Sequence, residues 1–189
     1  MHLFNNDIET CITVLKEGGL ILYPTDTIWG IGCDATNGEA IKKIYQLKKR
    51  SDEKAMIILL NEKLLSAYFK NISGKPVSVL KNTKKPTTVI LPDVKGLPEA
   101  LTGKESTLGC RIPDDEFCRE LIDRFDKPIV STSANISGEA SPKNYSEISA
   151  EIKNGVGYIV QHRQKDMSSG SPSRIIKLSA NGEMQIIRD

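Results

Sequence analysis

Apolar side chains recur at helical spacing in three stretches of this chain. Their apolar faces would be Ile8, Cys11, Ile12 and Leu15; Ile41, Ile44, Tyr45 and Leu47; and Phe117, Cys118, Leu121, Ile122 and Phe125. Gly18 and Gly19 should end the first helix, since glycine favours the backbone conformation that follows a helix. Asn37 should cap the second helix and Asp114 the third. The pattern therefore predicts three amphipathic helices.

Shorter apolar runs, rich in β-branched residues, lie between these helices and predict strands. The runs cover residues 20–23, 56–60, 88–91, 129–130, 157–160, 174–178 and 184–187. Strands that alternate with helices favour an α/β fold built on a twisted sheet. No internal repeat or linker interrupts the pattern, so we expect a single domain over residues 1–189.

Composition narrows the class of protein without pointing to a ligand. The 189 residues carry 26 basic and 24 acidic side chains, a net charge of +2, which indicates no general affinity for nucleic acid. Four cysteines without CxxC spacing and two histidines argue against a zinc site and suggest reduced thiols. No apolar run approaches the ~20 residues of a membrane span. We expect a cytoplasmic protein without a membrane partner.

Polar side chains are crowded where two predicted strands end. The run after residues 129–130 is Ser131, Thr132, Ser133, Asn135 and Ser137. The strand at 20–23 is followed by Pro24, which should end it, and then by Thr25, Asp26 and Thr27 on an expected exposed turn. Buried polar groups need partners, so such crowding favours a ligand site over a simple turn.

A third polar segment contains Lys48 and Arg50. If the backbone is extended there, residues two apart point to the same side. One ammonium and one guanidinium on the same side would suit a polyphosphate or a carboxylate. The alternative is the solvated end of a helix.

The glycine pattern at residues 30–35 resembles a dinucleotide fingerprint, but its context is wrong. In a true fingerprint the first glycine directly follows the strand. Here residues 24–29 intervene after the strand, and no P-loop motif occurs elsewhere. Nicotinamide binding is therefore not expected.

Taken together, these segments resemble the YrdC-type threonylcarbamoyl-AMP synthases over nearly the whole chain. The matching motifs are Tyr-Pro-Thr-Asp-Thr at 23–27, Lys-x-Arg at 48–50, residues 107–113, Ser-Thr-Ser-Ala-Asn at 131–135 and residues 171–176. Lys-x-Arg and Ser-x-Asn in this order are jointly specific. The chain is similar to the short branch of the family, without the extra carboxyl-terminal domain.

The resemblance implies a YrdC-like twisted mixed β-sheet flanked by helices, with a concave ligand-binding face. It also implies a reaction that condenses L-threonine, bicarbonate and ATP to threonylcarbamoyl-AMP and pyrophosphate, for threonylcarbamoyladenosine modification of tRNA. ATP would enter as a substrate with Mg²⁺, and no tightly bound cofactor or protein metal site is expected. A downstream threonylcarbamoyl-transferase complex would use the product, and direct contact with tRNA or double-stranded RNA stays open.

Site residues follow from the same resemblance. Lys48 and Arg50 match the family's catalytic phosphate-binding pair. The other matches to ATP contacts are Thr107, Ser133, Asn135, Ser141 and Arg188. The matches to threonine contacts are Thr25, Arg111, Ser131 and Ser173. Ile28 and Trp29, next to Thr25, are candidates for an apolar wall that distinguishes threonine from serine.

Three alternatives remain open at this point. One is the paralogous branch of the same fold, which often lacks intact Lys-x-Arg and Ser-x-Asn motifs. Another is a paralogue that forms carbamoyl-AMP, and the third is a non-catalytic RNA-binding YrdC-like module. The sequence also departs from the family pattern at Trp29, at the loop 82–88 and at Arg174.

Overall fold

A computed structural model describes residues 4–49, 56–70, 75–81, 84–178 and 183–189. The helices in those ranges are α1 (Asn5–Lys16), α2 (Gly38–Leu47), α3 (Glu62–Tyr68), α4 (Lys75–Lys81), α5 (Glu99–Thr102), α6 (Glu116–Phe125) and α7 (Ala150–Asn154), with a 3-10 turn at Tyr145–Glu147. The strands are β1 (Ile21–Tyr23), β2 (Gly30–Gly32), β3 (Ile57–Leu59), β4 (Thr87–Leu91), β5 (Leu108–Arg111), β6 (Ile129–Ser133), β7 (Tyr158–Ile159), β8 (Arg174–Leu178) and β9 (Met184–Arg188).

All of these strands join one sheet, in the order β7-β1-β2-β6-β3-β5-β4-β8-β9. The pairs β1–β7, β3–β5 and β4–β8 are parallel, and the other neighbouring pairs are antiparallel. The predicted α/β class with a mixed sheet flanked by helices is therefore confirmed.

The three predicted helices are present as α1, α2 and α6, and their apolar faces lie in the core. Ile8, Ile41 and Leu121 are fully buried. Gly18 has a φ of +70°, which suits the turn that ends α1. The expected cap at Asn37 is confirmed, since its side chain accepts hydrogen bonds from the amides of residues 39 and 40.

The predicted cap of α6 was one residue off. Asp115, not Asp114, accepts the hydrogen bond from the Cys118 amide. The exposed carboxylate of Asp114 instead pairs with Arg119 one turn into the helix. Adjacent acidic residues offer the same capping chemistry, so sequence alone does not choose between them.

Every predicted strand has a counterpart, but β2 and β5 were not predicted as strands. Glycines occupy two of the three positions of β2, and glycine carries no side chain to show an alternating pattern. β6 extends through Ser133, so Ser131 and Ser133 lie within a strand rather than beyond its end. Gly30 and Gly32 pair with β1 and do not begin a helix, consistent with the rejection of a dinucleotide fingerprint.

One face of the sheet carries the polar residues singled out above. Partners in register point to the same face, and residues two apart along a strand also share it. Ser133 pairs with Gly30, and Ser131 pairs with Ile57. Ile57 in turn pairs with Gly109, two residues before Arg111 on the same strand. Ser131, Ser133 and Arg111 therefore project from the same face.

Candidate functional site

A cavity of about 230 Å³ opens on this face of the sheet. It is lined by Thr27, Ile28, Trp29, Gly30, Met56, Ile57, Arg111, Ser131, Thr132, Ser133, Ser141, Pro172, Ser173, Ile175 and Arg188. The lining combines apolar walls with hydroxyls and two guanidinium groups, a composition typical of small-molecule sites. It includes six of the residues predicted to bind ligand: Arg111, Ser131, Ser133, Ser141, Ser173 and Arg188.

Arg111 is the most deeply placed cation of the cavity. It ends β5, is 2% exposed, and forms an ion pair with Asp26 through Nη1. Its Nη2 donates to Thr27 Oγ1 at 3.3 Å, whereas its buried Nε has no hydrogen-bond partner. A buried donor without a partner costs about 1–3 kcal/mol, so a group that accepts a hydrogen bond from Nε would be stabilised there. With Nη1 paired to Asp26 and Nε unpartnered, the geometry allows Arg111 to pair internally and to meet a ligand at the same time.

The loop between β1 and β2 is not the exposed turn that the sequence predicted. Thr25 is 3% exposed, and its hydroxyl donates to the Ile28 carbonyl at 2.8 Å. The same hydroxyl accepts from the Thr27 amide and lies 2.8 Å from the Thr27 hydroxyl. Thr25 does not line the cavity on the sheet face. It shapes the loop that places Thr27 against Arg111.

Glycine at position 30 brings the β1–β2 arm close to β6. A Cβ atom added there would lie 3.2 Å from Ser131 Oγ and 3.6 Å from the Tyr23 ring. Most real Cβ atoms do not approach a neighbour as closely as the first of these distances. Any larger residue at Gly30 would therefore press on Ser131, which lines the cavity.

Lys48, predicted as one half of a phosphate-binding pair, is buried and hydrogen-bonded within the protein. It caps α2 in a helical conformation and Lys49 has a φ of +50°, so the condition of an extended backbone is not met at these two residues. Lys48 is 2% exposed, and its Nζ donates to the carbonyls of Ser133 and Asn135 at 2.5 and 2.6 Å. Lys48 thus links the first and last residues of the Ser-x-Asn motif. Arg50, its predicted companion, lies outside the described residues.

Asn135 has one open acceptor. Its Nδ2 donates to the carbonyls of Ile136 and Glu139 at 2.9 and 2.8 Å. Its buried Oδ1 has no hydrogen-bond partner. Both donors are used to hold the turn, and the oxygen remains available to a group that carries an N–H or O–H.

The last strands supply the far wall of the cavity. Ser173 Oγ lies 2.8 Å from Thr88 Oγ1, and the Ser173 carbonyl accepts from Arg188 Nε and Nη2 at 3.1 and 2.7 Å. The guanidinium of Arg188, a residue of β9, is thus held by the Ser173 carbonyl although the residue is exposed. Thr107 directly precedes β5, two residues before Gly109, and does not itself line the cavity.

Trp29 both packs in the hydrophobic core and lines the cavity. It is 5% exposed, and its ring lies 5.1 Å from the Tyr145 ring, at an interplanar angle of 49°. Ile28 also lines the cavity. The apolar wall predicted next to Thr25 therefore borders the same space as Arg111.

Sequence reasoning missed Asp26 as part of the site. This carboxylate has 8% of its side-chain surface exposed and pairs with Arg111 through Oδ1. Its Oδ2 accepts from the Asp114 amide at 3.0 Å. The signal was present, because a carboxylate within a polar strand-end motif needs a cation when it is buried. That cation is 85 residues away along the chain.

Within residues 4–49, 56–70, 75–81, 84–178 and 183–189, no three His, Cys, Asp or Glu side chains are arranged to hold a metal ion. No helix in the same ranges is long and apolar enough to cross a membrane. The four cysteines are buried and unpaired, and burial raises the pKa of each thiol. Thiols in this state are poor nucleophiles.

Comparison with protein families places the chain. Residues 13–189 match the family model named Sua5, YciO and YrdC, which carries the description "Telomere recombination". The chain belongs to this Sua5/YciO/YrdC family. The match includes every residue predicted above to bind ATP or threonine.

Curated relatives match over nearly their full length. The threonylcarbamoyl-AMP synthase of Idiomarina loihiensis is 33% identical over 185 residues, which cover 96% of this chain and 96% of that protein. The threonylcarbamoyl-AMP synthase of Pseudoalteromonas translucida is 30% identical over 181 residues, covering 94% and 95%.

Solved structures share the fold. P. abyssi Sua5 complexed with L-threonine superposes with a TM-score of 0.86 and 26% identity, over all of this chain. The chain spans 55% of that protein's length. E. coli YciO superposes with a TM-score of 0.78 over 97% of this chain and 89% of YciO. Its identity of 22% supports a shared fold only.

Proposed function

We propose that this chain is an L-threonylcarbamoyladenylate synthase, a nucleotidyltransferase that condenses L-threonine, bicarbonate and ATP. The observation that carries the proposal is the buried Arg111, which lines a cavity together with Ser131 and Ser133 and whose Nε has no hydrogen-bond partner. A guanidinium edge suits a carboxylate, and hydroxyls suit the polar groups of an amino acid and a nucleotide. Relatives that share 30–33% identity over almost the whole chain are named for this activity.

The threonine end of the site would be built around Arg111. Its guanidinium would bind the α-carboxylate, and Ser131 and Ser173 would be within the same cavity to meet the remaining polar groups. Thr25 would contribute through Thr27, because its hydroxyl is used within the loop. Ile28 and Trp29 would contact the threonine methyl group.

The nucleotide end would be built around the Ser-x-Asn turn. Ser133 and the open Oδ1 of Asn135 would hydrogen-bond ATP, with Ser141, Arg188 and Thr107 as further contacts. Lys48 would hold the turn in place through its two carbonyl contacts. We assign direct charge stabilisation of the phosphates to Arg50 on the basis of its motif. Mg²⁺ would enter with the ATP phosphates, whose oxygens are its usual ligands.

The chemistry requires no protein nucleophile. The threonine amine adds to bicarbonate with loss of water, and an oxygen of the resulting carbamate attacks the α-phosphorus of ATP. The bond from the α-phosphorus to the bridging oxygen breaks, and pyrophosphate leaves. The protein would align the carbamate with the leaving group, neutralise phosphate charge and limit access of water to the mixed anhydride.

The proposal also covers the fate of the product, the extent of the domain and the binding of RNA. The product would pass to a threonylcarbamoyl-transferase complex that modifies tRNA in the cytoplasm. One sheet that includes strands from residue 21 to residue 188 supports a single YrdC-like domain over residues 1–189. Direct binding of RNA is less well supported, since Lys42, Lys81 and Lys85 are each paired with a carboxylate.

Pyrophosphate release tests the proposal against its alternatives. Purified protein with ATP, Mg²⁺, bicarbonate and L-threonine should release pyrophosphate and form a threonylcarbamoyl-AMP product that mass spectrometry can detect. Release should stop when threonine is omitted. Release with carbamoyl phosphate in place of threonine and bicarbonate would instead support a carbamoyl-AMP-forming enzyme. RNA binding without any pyrophosphate release would support a non-catalytic module.

A further inference from the structure

We propose that Asp26 is a positioning residue that selects which edge of the Arg111 guanidinium binds the substrate carboxylate. The inference rests on the proposed function, because it concerns the carboxylate of the amino acid substrate. Asp26 is not among the residues that line the cavity on the sheet face, and both of its carboxylate oxygens are already bonded, so it would act through Arg111 rather than by touching the substrate.

The contacts of Arg111 divide its donors into two sets. A guanidinium can offer a carboxylate either its two terminal nitrogens or the side-on edge formed by Nε and Nη2. Asp26 is bound to Nη1, one of the two nitrogens that the end-on mode would use. Nε has no partner, and Nη2 has the Thr27 hydroxyl as an acceptor at 3.3 Å, longer than most strong hydrogen bonds. The side-on edge is therefore the one left for a ligand.

Asp26 is itself held rigidly enough to set this orientation. One carboxylate oxygen bonds Arg111 and the other accepts from the Asp114 amide, so both oxygens are fixed. Thr27, which contacts Nη2, is fixed in turn by the buried hydroxyl of Thr25. The guanidinium plane is thus defined at two of its three nitrogens before any ligand binds, and preorganisation of this kind lowers the cost of binding.

The pairing also explains how a cation can be kept in a site that is 2% exposed. An isolated buried charge is strongly disfavoured, whereas an ion pair with satisfied hydrogen bonds is tolerated. Asp26 therefore balances the buried charge of Arg111 while leaving Nε without a protein partner. Removing the carboxylate should free the guanidinium to rotate, and the affinity for a carboxylate ligand should fall.

The test compares two ligands that differ only in the group that Arg111 would bind. L-Threonine and L-threoninamide are titrated calorimetrically into the wild-type protein and the Asp26→Asn variant. Asp26→Asn should weaken L-threonine binding by at least about 10-fold, the effect of one weakened charge-assisted contact, and change threoninamide binding much less. KM for threonine should rise more than kcat falls, and KM for ATP should stay within about 3-fold. Asp123→Asn, which removes an exposed carboxylate from α6, should bind both ligands like the wild type.

A double-mutant cycle with Arg111→Lys checks the route of the effect. If Asp26 acts through the guanidinium fork, Asp26→Asn should cost little further affinity once Arg111 is lysine. Thermal unfolding reports whether the variants fold. If Asp26→Asn is unstable, Asp26→Glu replaces it, since this variant keeps the charge but shifts the carboxylate by one methylene group. It should likewise weaken threonine binding more than threoninamide binding.

The possible outcomes distinguish the positioning role of Asp26 from the proposed function. Equal weakening of both ligands, or threonine binding unchanged in Asp26→Asn, would overturn the positioning role while leaving the proposed function intact. Full additivity with Arg111→Lys would also overturn it. Failure of the wild-type protein to bind threonine at all, with or without ATP, would contradict the proposed function and this inference together.

Discussion

Arg111 and Lys48 are buried to the same degree, each 2% exposed, yet their donors are used in different ways. Arg111 lines the cavity and keeps one buried nitrogen without a partner. The Lys48 ammonium bonds the carbonyls of Ser133 and Asn135 and does not line the cavity. The difference teaches that one buried cation can keep a donor without a protein partner, whereas another uses its donors to hold neighbouring backbone. The first kind should affect substrate use, and the second should affect both stability and the nucleotide end.

Replacing the Arg111 guanidinium by an ammonium should give the largest loss of activity. A small loss would contradict the contrast drawn between Arg111 and Lys48. Arg111→Lys keeps a positive charge for Asp26 but loses the side-on fork, so kcat/KM for threonine should fall by about 100-fold or more. Arg119→Lys is the matched control, since Arg119 is a half-exposed arginine that also pairs with a carboxylate. Steady-state pyrophosphate release measures both variants. Equal activity of the two would remove Arg111 from the threonine site.

Arg50 extends the comparison to the other half of the Lys-x-Arg motif. If Arg50 stabilises charge as pyrophosphate leaves, Arg50→Ala should lower activity by about 100-fold, the scale of one preorganised electrostatic contact. Lys49→Ala, in the same segment, removes an exposed lysine that pairs with Glu151 and should retain activity. Pyrophosphate release near the wild-type rate in Arg50→Ala would contradict the phosphate assignment.

Lys48 should differ from both arginines by its effect on folding. Lys48→Ala leaves the carbonyls of Ser133 and Asn135 without their donor, which should lower the free energy of unfolding by about 1–3 kcal/mol. Lys42→Ala, which removes an exposed partner of Glu39, should change it by less than about 0.5 kcal/mol.

Urea unfolding followed by circular dichroism measures both lysine variants. KM for ATP should also rise in Lys48→Ala, because the Ser-x-Asn turn loses its support. Unchanged stability together with loss of activity would instead place Lys48 in direct contact with the phosphates.

The smallest expected effect concerns the apolar wall beside Arg111. Threonine and serine differ by one methyl group, which a pocket can convert into roughly 10–200-fold discrimination. Trp29 lines the cavity, so Trp29→Leu should narrow the ratio of kcat/KM for the two amino acids while Arg111 continues to bind both carboxylates. Valine, which lacks the hydroxyl, should be a poorer substrate than serine because it would leave polar groups unpaired. Valine used as well as threonine would show that the cavity does not read a hydroxyl.

Local patterns in the sequence were enough to predict much of the fold. The apolar faces of α1, α2 and α6 and the runs that became seven strands depend on periodicity, which is a property of neighbouring residues. The strands β2 and β5 were not predicted, since two of three residues in β2 are glycine and the β5 segment was interpreted only as a motif. The cap of α6 was misplaced by one residue, because Asp114 and Asp115 carry the same chemistry.

The sequence by itself determined which residues have the chemistry of a binding site and, through joint motifs, which family the chain belongs to. The tertiary structure alone decided how those residues are used. Thr25 and Lys48 turned out to hold neighbouring backbone, and Asp26 turned out to hold Arg111. The physical reason is that the contacts of Asp26 with Arg111 and of Lys48 with Ser133 each join segments 85 residues apart, and a buried charge is satisfied by whichever partner the fold brings to it.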